Sequence, residues 1–281
     1  MIGHRHFLAG IAAAAMSTAG ATTSQATPPH GRSIDYDYAA RDVGKAEWGW
    51  HGRAYLHPEI SLAPDRPRPL VVFLHGVNPS SARYYWVGGG EVPDVRSWID
   101  ELVEGAKIEA PVFAAPTTNE SCTLPQALFT GFDLDRFIER TVRATRGQAE
   151  IDLERVVVVG HSGAGCNLRG GLINALRGSI APRAALVVDV CMHPIEGPGF
   201  AMARPETDIV VTWQATWKRD AHAFERQFLA ASVKRGARGM RVVLEMPAVG
   251  PNPHAAILRQ SLAEWLPRWL PPNASVTGAS P

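Results

Sequence analysis

Val156-Val157-Val158-Val159-Gly160-His161-Ser162-Gly163-Ala164-Gly165 is the stretch on which the reading of this chain turns. Four consecutive valines mark a strand buried on both faces, since β-branched residues fit a pleated sheet and no polar residue alternates with them. The run then breaks into small residues, and a helical pattern follows. A strand that turns sharply into a helix needs small side chains two positions before and two positions after the residue at the tip. Gly160 and Ala164 meet that need, so Ser162 is expected at the tip, strained and with its hydroxyl exposed. The expected helix would aim its first amides and positive dipole end at an oxygen gaining negative charge there.

Outward from this stretch, short apolar runs at 70–74, 111–115, 155–159, 184–190, 208–213 and 240–246 read as strands. Leu134, Phe137, Ile138 and Val142 fall on one face of a helix closed by Gly147, and Phe224 and Phe228 mark a second that ends at Gly236. A last helix over 255–266 carries Ile257, Leu258, Leu262, Trp265 and Leu266 on its apolar side, with Pro267 as its stop. This βαβα rhythm predicts an α/β fold, a mostly parallel central sheet with helices on both faces. With 281 residues, 46% of them hydrophobic, one domain is expected. It should span 46–270, after a linker over 27–45 rich in Pro, Ser, Thr and Gly and before a disordered tail over 271–281. The stretch 192–207 between two of the strands is too short for a large lid domain.

At the N-terminus, His4, Arg5 and His6 precede the apolar run 7–16, and small residues follow, which is the layout of a signal peptide over 1–26. Ala19-Gly20-Ala21 and Ser24-Gln25-Ala26 both suit signal peptidase, so cleavage is placed between Ala21 and Ala26. His4-Arg5-His6-Phe7-Leu8 resembles a twin-arginine export signal with His4 in place of the first arginine. A secreted or periplasmic protein is expected, by the Sec or the Tat route. Cys122, Cys166 and Cys191 then read as one disulfide plus one buried thiol, with the pairing open. Asp189-Val190-Cys191-Met192-His193 holds potential metal ligands, but no second cluster at ligand spacing accompanies it, so no metal is expected. With 28 basic and 27 acidic residues, a net charge of +1, no nucleic-acid partner is expected. No later apolar run reaches the length of about 18 residues that a membrane helix needs, so no stable membrane insertion is expected.

A second element is Val71-Val72-Phe73-Leu74-His75-Gly76-Val77, an apolar strand ending in His-Gly. Together with the Ser162 turn it resembles the α/β-hydrolase superfamily, over roughly 46–270. The resemblance implies an α/β-hydrolase fold, no cofactor, and an oxyanion hole formed by the amides of Val77 and Gly163. It also implies a histidine after the last strand, a place held by His254 in Gly250-Pro251-Asn252-Pro253-His254. His193 and His222 are weaker substitutes, and His161 reads as support for the turn. Where the superfamily most often places its acid, this chain reads Gln214-Ala215-Thr216-Trp217. Asp220 follows, but capping of the next helix explains it. Asp189 is favoured, because a carboxylate ending an apolar strand needs a partner and His254 can be one. Glu196 ranks third.

The resemblance thus implies a secreted serine hydrolase, esterase-like, that cleaves carboxylic esters through an acyl-enzyme. The substrate would be a small-molecule or polymer-linked ester, with Tyr84, Tyr85, Trp86, the loop 116–132, Trp213 and Trp217 lining an apolar cleft. A peptidase or amidase, an acyltransferase, and a non-catalytic binding protein on the same fold are the alternatives. Oligomeric state stays open.

Overall fold

The computed structural model describes residues 28–38, 50–118 and 122–272. The expected signal peptide and nearly all of the expected tail lie outside the described residues. Eight strands form one sheet in the order β1-β2-β4-β3-β5-β6-β7-β8. They are β1 (Arg32–Tyr38), β2 (Trp50–Leu56), β3 (Pro67–Leu74), β4 (Val112–Thr118), β5 (Glu150–His161), β6 (Ala184–Val188), β7 (Asp208–Gln214) and β8 (Arg241–Met246). From β4 through β8 every pairing is parallel, while β1 pairs antiparallel with β2 and β2 antiparallel with β4.

Every residue of β6 and β7, and Val156 to His161 of β5, is buried. Such runs require cover on both faces, which is why they lack polar alternation. On the sheet lie α1 (Pro58–Ser61), α2 (Val95–Glu104), α3 (Leu134–Thr145), α4 (Gly171–Ala175), α5 (Glu196–Phe200), α6 (Lys218–Lys234) and α7 (Pro253–Trp269). Helix α3 packs on β1, β2 and β5, whereas α7 packs on β5, β6 and β7 and against α2. Their starts are set by side-chain caps: Asp94 accepts from the Arg96 amide, Asp133 from that of Arg136, and Asn252 from that of Ala255, just after Pro253 in the first turn of α7.

The fold is therefore α/β with a mostly parallel sheet, and the connection 189–207 carries only the five-residue α5. Four details differ from the sequence reading. The stretch expected as a linker contains β1, in which Ile34 and Tyr36 turn toward the core and Asp35 and Asp37 turn out. Strand β2 escaped notice because Gly52 and Arg53 interrupt its apolar positions. In α3 the buried face runs through Thr141 and Thr145, whose hydroxyls donate back to Phe137 and Thr141 carbonyls, while Val142 is exposed. Finally, Pro267 lies inside α7 and does not stop it. The helix continues to Trp269, whose ring stacks on Trp265 at 6.0 Å across the proline.

Candidate active site

The C-terminal ends of β3, β5, β6 and β7 lie side by side, and the site is assembled from the residues that follow them. Ser162 comes straight after β5 with φ +56°, a strained conformation for a residue with a Cβ. Gly160 must be small there, since a Cβ on it would stand 2.6 Å from Leu172 Cδ2. Gly76, just beyond β3, presses on the serine itself: a Cβ there would lie 2.7 Å from Ser162 Cβ and 3.0 Å from its Oγ.

The helix expected after Ser162 does not form. Ser162–Gly165 make a single tight turn, and α4 begins only at Gly171 and is five residues long. Cys166 is instead held in a disulfide with Cys191, Asn167 donates to Leu128 O and Thr130 Oγ1, and Gly170-Gly171 follow, so nothing propagates a helix. Any electrostatic help to an oxyanion rests on individual amides rather than on a long helix dipole. Val77 and Gly163 are neighbours, since a Cβ on Gly163 would lie 3.3 Å from Val77 Cγ1. Among the described residues, no turn or loop hydrogen bond engages either amide.

Asp189 follows β6 with φ +49° and is 2% exposed. His254, in the first turn of α7, brings Nδ1 to 2.5 Å from Asp189 Oδ2. Gln214 Nε2 also donates to Oδ2, and Trp217 Nε1 donates to Oδ1 at 2.9 Å. The buried carboxylate is thus met by three donors, which offsets its desolvation. With Nδ1 directed at the carboxylate, Nε2 of His254 is the nitrogen left to act as a base. The hydroxyl of Ser162 forms no hydrogen bond among the described residues.

His161 is fully buried, with Nε2 donating to the backbone carbonyl of His254 at 3.1 Å and its ring 4.3 Å from that of His254. Burial, and then the neighbouring His254, push its pKa well below the usual imidazole range, so it stays neutral. His75 is likewise buried, lowered to about 4 by desolvation, and its Nδ1 donates to Gly76 O at 2.6 Å. Both are props for the site.

The other candidates sit apart from this centre. Asp220 is exposed in the first turn of α6 and caps nothing; the cap position is Trp217, without a side-chain bond. His193 and His222 are exposed, the latter against Trp213. Glu196 is buried and accepts from the His193 amide. Cys122 is buried outside the disulfide, its Sγ donating to Leu124 O. Cys166, Cys191 and Glu196 bring possible ligand atoms within 4.8 Å of one another, but both sulfurs are committed to the disulfide. Tyr85 and Trp86 do not line a cleft. They are buried with their rings against His75 and His161. Gln214 and Trp217 were legible only as a missing acid. When the carboxylate moves to the preceding strand end, the vacated loop supplies its donors.

No family model and no curated protein matches the sequence. Solved structures do match. A ferulic acid esterase is 12% identical, covers 85% of this chain and 97% of its own, and superposes with a TM-score of 0.58. A thermostable esterase is 15% identical over 84% of this chain and 62% of its own, at 0.56. The acylaminoacyl peptidase of Pyrococcus horikoshii is 14% identical over 86% of this chain and 42% of its own, at 0.53.

Proposed function

The chain has the α/β-hydrolase fold, and on that premise we propose that it is a serine hydrolase cleaving carboxylic esters through an acyl-enzyme. The observation that carries the proposal is the 2.5 Å contact between His254 Nδ1 and the buried Asp189, which leaves Nε2 as the base for Ser162. The hydroxyl of Ser162 attacks the ester carbonyl as His254 Nε2 takes its proton. Charge on the carbonyl oxygen is met by the amides of Val77 and Gly163, each such donor being worth about 3 kcal/mol in a transition state. The tetrahedral intermediate collapses, and the leaving alcohol receives the proton from His254. Water, deprotonated by the same nitrogen, then attacks the acyl-enzyme and frees Ser162 and the acid. Asp189 orients His254 and stabilises its imidazolium form throughout.

A small-molecule or polymer-linked ester fits the short 189–207 connection, which leaves room for a bulky substrate. Export by the N-terminal signal completes the proposal, and sequencing of the mature N-terminus from a secreted preparation tests it. For the chemistry, fluorophosphonate labelling and p-nitrophenyl ester hydrolysis are compared in wild type, Ser162→Ala and His254→Ala. Labelling and turnover that vanish in Ser162→Ala are expected. Folded wild type that neither labels nor hydrolyses would leave a binding protein as the better reading. Faster turnover of amides than of matched esters would replace the esterase by a peptidase.

A further inference from the structure

Beyond Ser162, Gln126, Trp217 and residues of the segments 166–169 and 191–196 line an open cavity of ≈ 620 Å³. It adjoins the site directly: Trp217 both lines it and holds Asp189, and Cys166 Sγ lies 3.6 Å from Ser162 O. Its walls are largely apolar, formed by Leu168, Ile195, the indole of Trp217 and the Cys166–Cys191 disulfide. Ile195 is 59% exposed, an apolar landing at the mouth.

Glu196 does not match these walls. It is 3% exposed, lines the cavity, and lies within 4.8 Å of both sulfurs. Its Oε2 accepts from the His193 amide at 3.2 Å, which closes the turn into α5. Among the described residues, Oε1 has no hydrogen-bond partner and no basic side chain pairs with the carboxyl. Closing the turn needs only one oxygen, which glutamine would supply without a charge. Burial pushes the carboxyl up to about 7. A carboxyl buried this deeply without a cation is costly to the fold, and such groups gather where a ligand completes them, here through Oε1 on its cavity side.

We propose that Glu196 is a specificity-determining residue whose Oε1 accepts a hydrogen bond from a hydroxyl on an apolar, ring-sized substituent of the ester. This rests on the serine hydrolase reading of Ser162 and His254. A hydroxyl fits better than an ammonium group, because Arg169, exposed on the cavity wall, repels an entering cation. The apolar walls hold the body of the substituent while Glu196 reads its polar tip. A buried acceptor discriminates strongly because a substrate lacking the donor leaves it unpaired.

The test uses two ester pairs in wild type, Glu196→Gln and Glu196→Leu. One pair differs by a para-hydroxyl on the acyl ring, the other by a para-hydroxyl on the alcohol ring. In one pair, wild type is expected to favour the hydroxylated ester by about tenfold or more in kcat/KM, the scale of one hydrogen bond to a charged acceptor. Glu196→Leu brings that ratio to about 1, and Glu196→Gln keeps part of it; the ratio cancels any loss of folded protein. Hydrolysis of all four esters with no hydroxyl preference, or a preference that survives Glu196→Leu, overturns the role of Glu196 and leaves the hydrolase intact. A protein that hydrolyses none and takes no fluorophosphonate overturns both.

Discussion

The indole Nε1 of Trp217 donates to Oδ1 of Asp189 at 2.9 Å, so a residue after β7 orients a carboxylate after β6. Loss of that donor frees the carboxylate to rotate and turns the imidazole of His254 with it. Trp217→Phe keeps the ring and removes the bond, and kcat should fall about tenfold to hundredfold, the scale of a hydrogen bond to a charged group. Asp189→Asn should cost about 10⁴-fold by favouring the wrong imidazole tautomer. Asp220→Asn should leave steady-state rates alone. A collapse of kcat in Asp220→Asn with full activity in Asp189→Asn would reassign the acid.

Gly76 and Ser162 are packed so closely that an added methyl at 76 would meet the serine side chain at 2.7 Å. Gly76→Ala must therefore displace either the Ser162 hydroxyl or the turn that carries the Val77 amide. A drop in kcat/KM of about 10²-fold is expected, the effect of misplacing a reacting group by about 1 Å. Circular dichroism should show the fold kept. Wild-type turnover in a folded Gly76→Ala protein would mean that neither the serine nor the Val77 amide matters to the rate.

The Cys166–Cys191 bridge joins the turn after Ser162 to the segment after Asp189 across 25 residues of sequence. In the chain-entropy account a loop of that size contributes about 3 kcal/mol. The double variant Cys166→Ala, Cys191→Ala should unfold at lower denaturant by that amount and lose turnover before it loses secondary structure. Equal stability of the variant and the oxidised parent would show that the bridge constrains little.

Glu196 should make stability depend on pH in a direction unusual for an acid. Its carboxyl titrates near 4.5 when unfolded and near 7 when folded. Between those values the native state binds the extra proton, so stability falls as pH rises through this window and the loss is complete above it. Glu196→Gln cannot ionise; it should be more stable than wild type at pH 8 and indistinguishable from it at pH 4. His75 acts oppositely, its pKa lowered from 6.5 to about 4, so its contribution is lost as pH falls through that range. Both proteins carry His75, and the difference in their urea midpoints isolates Glu196. Equal midpoints at pH 8 would show that the buried carboxyl carries no charge penalty.

How much was legible depended on whether burial left a local trace. The strands from β3 to β7 were readable because cover on both faces demands apolar residues at consecutive positions, and the half-buried edge strand β8 because Val242, Val243 and Leu244 stand together in it. Strand β1 was not, since it closes the sheet at its antiparallel edge with alternate residues exposed, and β2 was not because His51, Gly52 and Arg53 break its apolar pattern although nearly all of it is buried. There Asp35 faces Arg53 in register and binds it at 2.7 Å, so a charge that read as linker belongs to a cross-strand pair. The small residues around Ser162 signalled a turn correctly, yet the chain beyond it follows the Cys166–Cys191 bridge, the Asn167 side-chain bonds and Gly170-Gly171 rather than a helix.

By itself the sequence determined the α/β fold and the place of Ser162 on a strained turn, and its resemblance to the superfamily added His254, with Asp189 as the favoured partner. These follow from patterns a few residues wide: valine runs, small residues flanking a tip, a carboxylate ending an apolar strand. Only the tertiary structure decided that Gln214 and Trp217 hold Asp189, that Cys166 pairs with Cys191, and that Glu196 lies buried with one oxygen open to a cavity. Those contacts join segments 25 or more residues apart or depend on what surrounds a side chain, and a local pattern carries no record of either.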